Sequence, residues 1–567
     1  MDGQKKDEER NGQLMALRGD GGELEAPRGA TQEDTPLARL DIDEECPAEK
    51  KLTWRDTIPQ LYVSLCAHSI VIHAGINMAF SSILLPELSK ENSEIPVNSD
   101  EASWIASSVT LSTPVGALLA GPLMDRWGRR ATARIACIPL ALAWTTMALA
   151  RSVVTLCLAR VLAGIGGGLT TVALVYVSEC AHPRLRPALL CLNSVAVSLG
   201  VLAAYAASAV LPSWRWVAWS SLGLAIISLA ALTTPPESPH WLMLFRSLHT
   251  IEPVGGPEGD LSEGGGRASD AVKVLRRLNP SEAHFAEALR RLRLQAAERG
   301  AALKGGGGGS WGLVQILTRR ASRRPLLLLL LLLLLQQLSG TYVIVFYAVD
   351  VLRGLAGKAT GDEANEAIAL ILLGSIRLIA SVVAAVLSRR IGRKSLCAVS
   401  GIGMCIASLS SGVLDTSGGS TELSSPSGSS TWIASAFVLV HVCTSALGVM
   451  VIPWTLIGEL LPAEARGLGG GLSVCIAYAF MFGAVKGFPE AQNAIGGTKS
   501  LFLFFSASSF VGVVFLLLCI PETLGRSLHE IENHFSGKLS PKSRWWLGWN
   551  AWSDVKYKND GVNNINR

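Results

Sequence analysis

Long runs of apolar residues dominate this chain of 567 residues. An α-helix needs about 20 mostly apolar residues to cross the ~30 Å hydrocarbon core of a bilayer. Runs of that length recur twelve times, six before and six after a polar middle segment. A helix is the default for each run because lipid offers no partner to backbone N–H and C=O groups. The sequence therefore predicts an all-α membrane protein with twelve transmembrane helices in two six-helix bundles.

These runs are called spans 1 to 12 here, and their boundaries are approximate. Spans 1 to 6 are expected at roughly 58–86, 103–124, 133–150, 153–178, 188–211 and 215–233. Spans 7 to 12 are expected at roughly 325–350, 366–388, 396–414, 431–461, 468–489 and 499–520. Only 17% of the residues are charged, against about 25% in soluble domains. Together with 49% hydrophobic residues, this disfavours a secreted disulfide domain, a nucleic-acid binder and a disordered scaffold.

Polar segments complete the predicted organisation. Residues 1–57 hold fifteen acids and nine bases and are expected to form a disordered tail without a secretory signal. The two bundles are assigned to 58–233 and 325–520. Between them, 234–324 is expected to be a linker with short helices, and 521–567 forms a C-terminal tail.

Basic residues in the short loops predict the orientation. They follow spans 2 and 8 and precede span 7, whereas the loop after span 1 is acidic. With twelve spans, all three basic regions lie on one side of the membrane, together with both termini. The positive-inside rule makes that side the cytoplasm.

Three motifs repeat in the same order in the two halves, each after the equivalent span. Their charged members are Asp125, Arg129 and Arg130 with Arg393, then Glu179 and Arg186 with Glu459 and Arg466, then Glu237 with Glu522. The common order predicts two bundles related by an axis along the membrane normal, a recognised transporter design. Acids and arginines at these helix ends can pair across helices and close the inner face. The alternative is that they only set topology, although topology alone does not require the glutamates.

With further matching stretches, these motifs resemble those of the sugar porters of the major facilitator superfamily. The further stretches are Arg160–Gly167, Pro236–Leu242, Gln336–Gly340, Pro453–Trp454 and Pro521–Gly525. The resemblance covers roughly residues 58–535 and is strongest for the arthropod branch with the facilitated trehalose transporters. It implies alternating access around a sugar bound between the bundles, in the plasma membrane. An enzyme activity, a cofactor, a metal site and a nucleic-acid partner are not expected.

Two glutamines and a tryptophan are the first candidates for the sugar site. Gln336 and Gln337 lie well inside span 7, where burying amides without partners is costly. Amides both donate and accept, as sugar hydroxyls do. The resemblance implies that this pair and Trp454 contact the sugar. The alternatives are an interhelical hydrogen bond for the glutamines and plain packing for the tryptophan.

Several positions depart from the family pattern. Tyr342 stands where the family usually has an asparagine. In span 5 the usual glutamine is missing, and Asn193 or Ser194 is the nearest polar substitute. Arg377 is the eleventh residue of the apolar run 367–387, near a family position that is often an asparagine. A central arginine costs about 2.5–3.5 kcal/mol on insertion scales. We expect it to line the cavity; the alternative is an internal lock between helices.

Coupling and function leave alternatives open. In the family that the chain resembles, proton-driven members carry a titrating aspartate in span 1. This chain has Asn77 in the comparable stretch. An asparagine cannot titrate, so gradient-driven uniport is favoured. A transporter-like nutrient sensor is a second possibility, given the long tails. A carrier for an anionic organic solute, with Arg377 as counter-ion, is a third.

Overall fold

The structure is a computed structural model with two compact units, Met1–Lys51 and Leu52–Arg567. The first unit lies outside the residues that the structure describes. The described residues are 53–90, 92–244, 267–304, 320–356, 363–388, 391–414, 428–462, 466–524, 531 and 534–535. Both predicted tails therefore fall mostly outside them, and the tail boundaries stay predictions.

Spans 1 to 6 form one helical bundle. Their helices are Trp54–Leu88, Ser99–Trp127, Arg129–Ala148, Val153–Leu169 with Val172–Cys180, Arg186–Val210 and Trp214–Ala231. All six spans are long and apolar enough to cross a bilayer. Packed faces bury side chains such as Phe80 and Trp144. Large apolar side chains on the outer faces, among them Leu158 and Ile227, stay exposed, as a lipid-facing surface requires.

Spans 7 to 12 repeat the arrangement. Their helices are Arg320–Leu338 with Val343–Phe346 and Ala348–Ala356, then Glu363–Leu387, Arg393–Leu414, Gly428–Leu447 with Ile452–Leu460, Arg466–Ala494 and Thr498–Cys519. Within the described residues, eleven of the twelve predicted spans are long and apolar enough to cross a bilayer, and span 7 is the one that is not among them. Every element of the described ranges is a helix, which confirms the predicted fold class.

Span 7 is not the uninterrupted run that the sequence predicts. Its first helix ends at Leu338, and Gly340 has a φ of +79°, which glycine adopts without strain. A Cβ on Gly340 would also lie 2.5 Å from the Phe505 ring. Gln336 and Gln337 therefore lie in the last turn before a break, which corrects their placement well inside a helix.

Span 10 is interrupted as well, between Leu447 and Ile452. Gly448 approaches span 9 so closely that a Cβ would lie 2.7 Å from the Leu396 carbonyl oxygen. Ser400 of span 9 accepts the Val449 N–H at 2.9 Å. The break thus leaves the Val449 carbonyl available to a side chain from another span.

The two bundles meet along spans 2 and 11 and along spans 5 and 8. Ser198 of span 5 and Ser381 of span 8 share a hydrogen bond of 2.7 Å. This contact crosses the interface within the spans, so the interface is partly polar.

The bundles also join at the end opposite the arginine motifs. Ser82 of span 1 donates to the Val345 carbonyl at 2.6 Å and accepts the Ala348 N–H at 3.1 Å. Lys486 of span 11 pairs with Asp100 at the start of span 2. These contacts join the two bundles at that end. We call the other end, which carries the arginine motifs, the basic end.

The linker docks on the basic end of the first bundle. Its described helices are Pro239–Leu244, Arg267–Leu278 and Glu282–Lys304. Gln60 of span 1 donates to the Leu278 carbonyl at 3.3 Å and accepts the His182 N–H at 2.7 Å. Asp56 accepts the Ser281 N–H at 3.0 Å. The helices lie inside the predicted linker, 234–324, whose outer boundaries stay predictions.

Candidate substrate site and charged motifs

Two adjacent amides stand at the break in span 7. Gln336 and Gln337 are 2% and 1% exposed. Gln336 donates from Nε2 to the Val449 carbonyl in the break of span 10, at 2.7 Å, while its Oε1 has no described partner. Neither amide atom of Gln337 has a described partner. Buried polar atoms are almost always hydrogen-bonded, so three orphaned atoms here indicate a place for a ligand or water.

Aromatic residues from three spans adjoin each other in the second bundle. Trp454 of span 10 donates from Nε1 to the Tyr342 hydroxyl at 3.0 Å, which brings two of the predicted site residues into contact. The Trp454 ring centroid lies 5.6 Å from that of Tyr478 in span 11. Sequence reasoning missed Tyr478, because nothing in its local pattern separates it from a packing tyrosine. The cluster offers apolar faces with polar handles.

Arg377 is buried in the middle of span 8, with 1% of its surface exposed. Its Nε lies a long 3.4 Å from the Ser198 hydroxyl, and its Nη1 has no described partner. Among the side chains that the structure describes, no carboxylate pairs with this guanidinium. A buried charge with few partners is costly, so the arrangement favours a ligand that accepts hydrogen bonds from this guanidinium.

Asn193 and Ser194 are half-buried, and neither side chain makes a described hydrogen bond. Ser198, one helical turn after Ser194, is the residue of span 5 that reaches Arg377. Residues four apart share a helix face, so Ser194 lies on the same side of span 5. Ser198 could not be singled out from the local sequence, because its contact with Arg377 depends on the neighbouring span.

The first bundle contributes a further buried amide. Asn77 is 3% exposed, and neither atom of its amide group has a described partner. Its backbone carbonyl accepts from Arg160 Nη1 at 3.0 Å. Arg160 also donates to the Ile105 carbonyl at 3.1 Å and to the Ser81 hydroxyl. Unlike Arg377, this buried arginine is well satisfied by backbone and hydroxyl acceptors.

A small cavity lies beside Asn77 and between the bundles. Thr110 and Thr113 line it from the first bundle, and Phe346 and Tyr478 line it from the second. Its volume is about 20 Å³, which accommodates one water molecule. That volume is too small to hold a sugar in the described state. Tyr478 connects this cavity to the aromatic cluster of the second bundle.

The charged motifs of the first bundle form one network at the basic end. Arg129 donates to Glu179 Oε1 from Nε at 3.0 Å and from Nη2 at 2.8 Å. Glu237 Oε1 accepts the backbone N–H groups of Arg129 and Arg130 at 2.8 and 2.9 Å. That carboxylate stands at the start of span 3, where the helix dipole favours negative charge. Asp125 lies 3.6 Å from Arg129 Nη1.

The second bundle repeats this network. Arg393 pairs with Glu459, with Nη2 and Oε1 2.6 Å apart. Glu522 accepts the backbone N–H groups of Arg393 and Lys394 at 2.9 and 3.1 Å, at the start of span 9. The repeat seen in the sequence therefore corresponds to two equivalent sets of contacts. Each described set joins residues of a single bundle.

The last two arginines of the predicted gates are less well defined. The Nε of Arg186 is buried without a described partner at the start of span 5. The side chain of its counterpart, Arg466, lies outside the described residues. A role for either residue in gating stays a prediction.

Gly128→Ala is expected to lower the free energy of unfolding. Gly128 has φ 95° and ψ 169°, a conformation that costs other residues about 1–3 kcal/mol. An added Cβ would also lie 2.7 Å from a Glu237 carboxylate oxygen. Thermal unfolding of the purified protein measures the loss. Gly223→Ala, where nothing lies within 4 Å of the new Cβ, is the matched control. Equal melting temperatures for both variants would contradict this account of the network.

Comparison with known proteins agrees with this architecture. The sequence model of the Major Facilitator Superfamily matches residues 69–485, more than half of the chain. The facilitated trehalose transporter Tret1 of Apis mellifera ligustica is 28% identical over 483 residues, covering 85% of this chain and 89% of that protein. Tret1 of Aedes aegypti is 28% identical over 490 residues, covering 86% of this chain and 56% of that longer protein.

Solved structures share the fold. The proton:xylose symporter XylE of E. coli, bound to 6-bromo-6-deoxy-D-glucose, aligns with a TM-score of 0.64 at 21% identity. The alignment covers 85% of this chain and all of that chain. These matches confirm the predicted membrane fold. They also confirm the prediction that the chain is a transport protein and not an enzyme. With its two repeated six-span bundles, the chain belongs to the Major Facilitator Superfamily.

Proposed function

We propose that this protein is a facilitative carrier for an uncharged sugar, a hexose or a trehalose-type disaccharide, working by alternating access. The observation that carries the proposal is a set of six buried polar atoms without described partners, on Asn77, Gln336, Gln337 and Arg377. Sugar hydroxyls donate and accept, so they can satisfy amides and a guanidinium together. The names of the similar trehalose transporters support the same class of substrate.

Alternating access requires one end of the bundles to open while the other closes. We infer that the described state is closed at the end held by Ser82 and Val345 and by Lys486 and Asp100. The basic end is proposed to face the cytoplasm, following the positive-inside rule. Both termini then lie in the cytoplasm, and the plasma membrane is the proposed location.

Asn77 supports uniport over proton coupling. Its backbone contacts the guanidinium of Arg160, and its side chain is an amide that cannot titrate. A carboxylate at this place would have a fixed positive charge beside it and could exchange a proton during the transport cycle. The native chain is therefore proposed to move sugar down its own gradient.

Asn77→Asp is expected to make sugar uptake sensitive to external pH and to a protonophore, because it places a titrating group beside Arg160. Uptake by the native protein should not change when the proton gradient is collapsed. Asn77→Ser, which stays neutral, is the control and should behave like the native protein. Native uptake that falls with the proton gradient would contradict uniport.

Arg377 favours a second candidate function. A buried arginine without a described carboxylate is suited to a solute that brings its own negative charge. On that alternative the substrate is an anionic organic acid, and the amides bind its hydroxyl groups.

Uptake of labelled trehalose, glucose and a sugar acid in one expression system, normalised to surface protein, tests these functions. The proposal predicts uptake of at least one of the two neutral sugars and not of the acid. Uptake of the acid alone would support the second candidate. Uptake of none, together with ligand-dependent signalling, would support a sensor and contradict transport.

A further inference from the structure

Three side chains that can ligate metals meet at the basic end of the first bundle. His182 lies in the loop between spans 4 and 5, whereas His284 and Glu287 lie in the linker helix Glu282–Lys304. One ligand atom from each residue lies within 4.8 Å of the other two. The sequence predicts no metal site, because two spans and much of the linker separate His182 from the other two residues.

Contacts other than these side chains hold the two segments together. Gln60 accepts the backbone N–H of His182 at 2.7 Å. Asp56 accepts the N–H of Ser281, just ahead of His284, at 3.0 Å. The two imidazole rings meet edge to face with centroids 5.3 Å apart. His284 is 5% exposed and His182 is 9% exposed, so both rings are largely removed from water. The cluster is therefore preassembled by the docking of the linker.

We propose that His182, His284 and Glu287 bind a divalent transition-metal ion, with Zn²⁺ as the best fit. Two imidazoles and a carboxylate, with water in a fourth position, form a common zinc ligand set. Residues three apart lie on one helix face, which places His284 beside Glu287. Ligand atoms about 2.0–2.1 Å from a tetrahedral ion are roughly 3.3 Å apart, so modest side-chain rotations complete the site.

Two arginines compete with the ion. Arg291 pairs with Glu287 at the surface, and exposed pairs of this kind contribute little. The Arg184 N–H donates to His182 Nδ1 over 3.3 Å. A metal on either ring nitrogen displaces that weak bond, because Nδ1 then carries the metal or the ring proton. Metal binding would replace both contacts and tie the loop between spans 4 and 5 to the linker.

Zinc titration of the purified full-length protein in detergent, against a chromophoric chelator, tests the site without any sugar. We expect one Zn²⁺ per chain. His182→Ala or His284→Ala should weaken binding by at least about 100-fold, and Glu287→Gln by about 10-fold. Because Glu287 is exposed, its variant should fold even where a histidine variant does not. Co²⁺ added to the native protein should give the absorption spectrum of a tetrahedral site with nitrogen and oxygen ligands.

The matched control is His534→Ala, which removes a histidine in the C-terminal part of the chain and should bind zinc like the native protein. Zinc binding that is equal in the native protein and in all three ligand variants would overturn the proposal. So would an octahedral cobalt spectrum. Neither result bears on sugar transport, so this inference and the proposed function fail separately.

Discussion

Replacing Gln337 by leucine is expected to reduce the transport efficiency for sugar by about 10- to 100-fold, the cost of one or two buried hydrogen bonds. The thermal stability of the same variant should be unchanged or higher. Both amide atoms of Gln337 are buried without described partners. Their desolvation therefore lowers the stability of the native fold, and no described hydrogen bond offsets that cost. An apolar side chain of similar size relieves that cost but cannot bind a hydroxyl.

Transport kinetics in proteoliposomes and thermal unfolding of the purified variant measure the two effects. Gln60→Leu is the matched control, because that buried amide is hydrogen-bonded to the linker and to the loop after span 4. It should lose stability by about 1–3 kcal/mol while its KM for sugar stays native. A loss of stability in Gln337→Leu with native KM would show that Gln337 has a structural role.

Arg377→Met is expected to cause the second large loss of transport efficiency. Methionine keeps much of the length of the side chain and removes the charge. Among the described residues, Arg377 makes one long hydrogen bond and its Nη1 has no partner, so the variant should fold at least as well as the native protein. Its transport efficiency should fall by about 10- to 100-fold if the guanidinium donates to the substrate.

Arg160→Met provides the contrast between two buried arginines. Arg160 donates to the carbonyl groups of Asn77 and Ile105, so its loss should cost about 1–3 kcal/mol for each acceptor left without a donor. If Arg377→Met instead loses stability while each folded molecule transports normally, Arg377 is an internal lock. A native transport rate at native stability would remove it from the site altogether.

Much of this fold could be predicted because local runs of apolar residues determine where the spans lie. Twelve apolar runs give the spans, and the spacing of Glu179 and Glu459 from their neighbouring motifs gives the repeat of the bundles. The helix breaks could not be placed. Gly340 and Gly448 are ordinary glycines in sequence, and only the approach of Phe505 and span 9 shows why a helix cannot continue there.

The candidate site was predictable only in part, for a related reason. Gln336, Gln337 and Arg377 attract attention because polar groups in apolar runs are costly. Ser198 and Tyr478 do not, since a serine hydroxyl in a span can bond its own helix backbone and a tyrosine ring packs like other aromatic rings. Whether a buried arginine is satisfied also depends on distant segments, which separates Arg160 from Arg377.

The most direct test of facilitated transport is sugar flux in proteoliposomes that contain the purified protein. The account predicts that labelled trehalose or glucose enters until the inside and outside concentrations are equal. Preloading with unlabelled sugar should accelerate that entry, and an imposed proton gradient should not change the final level. Accumulation above the outside concentration under a proton gradient, or no flux above that of empty vesicles, would contradict it.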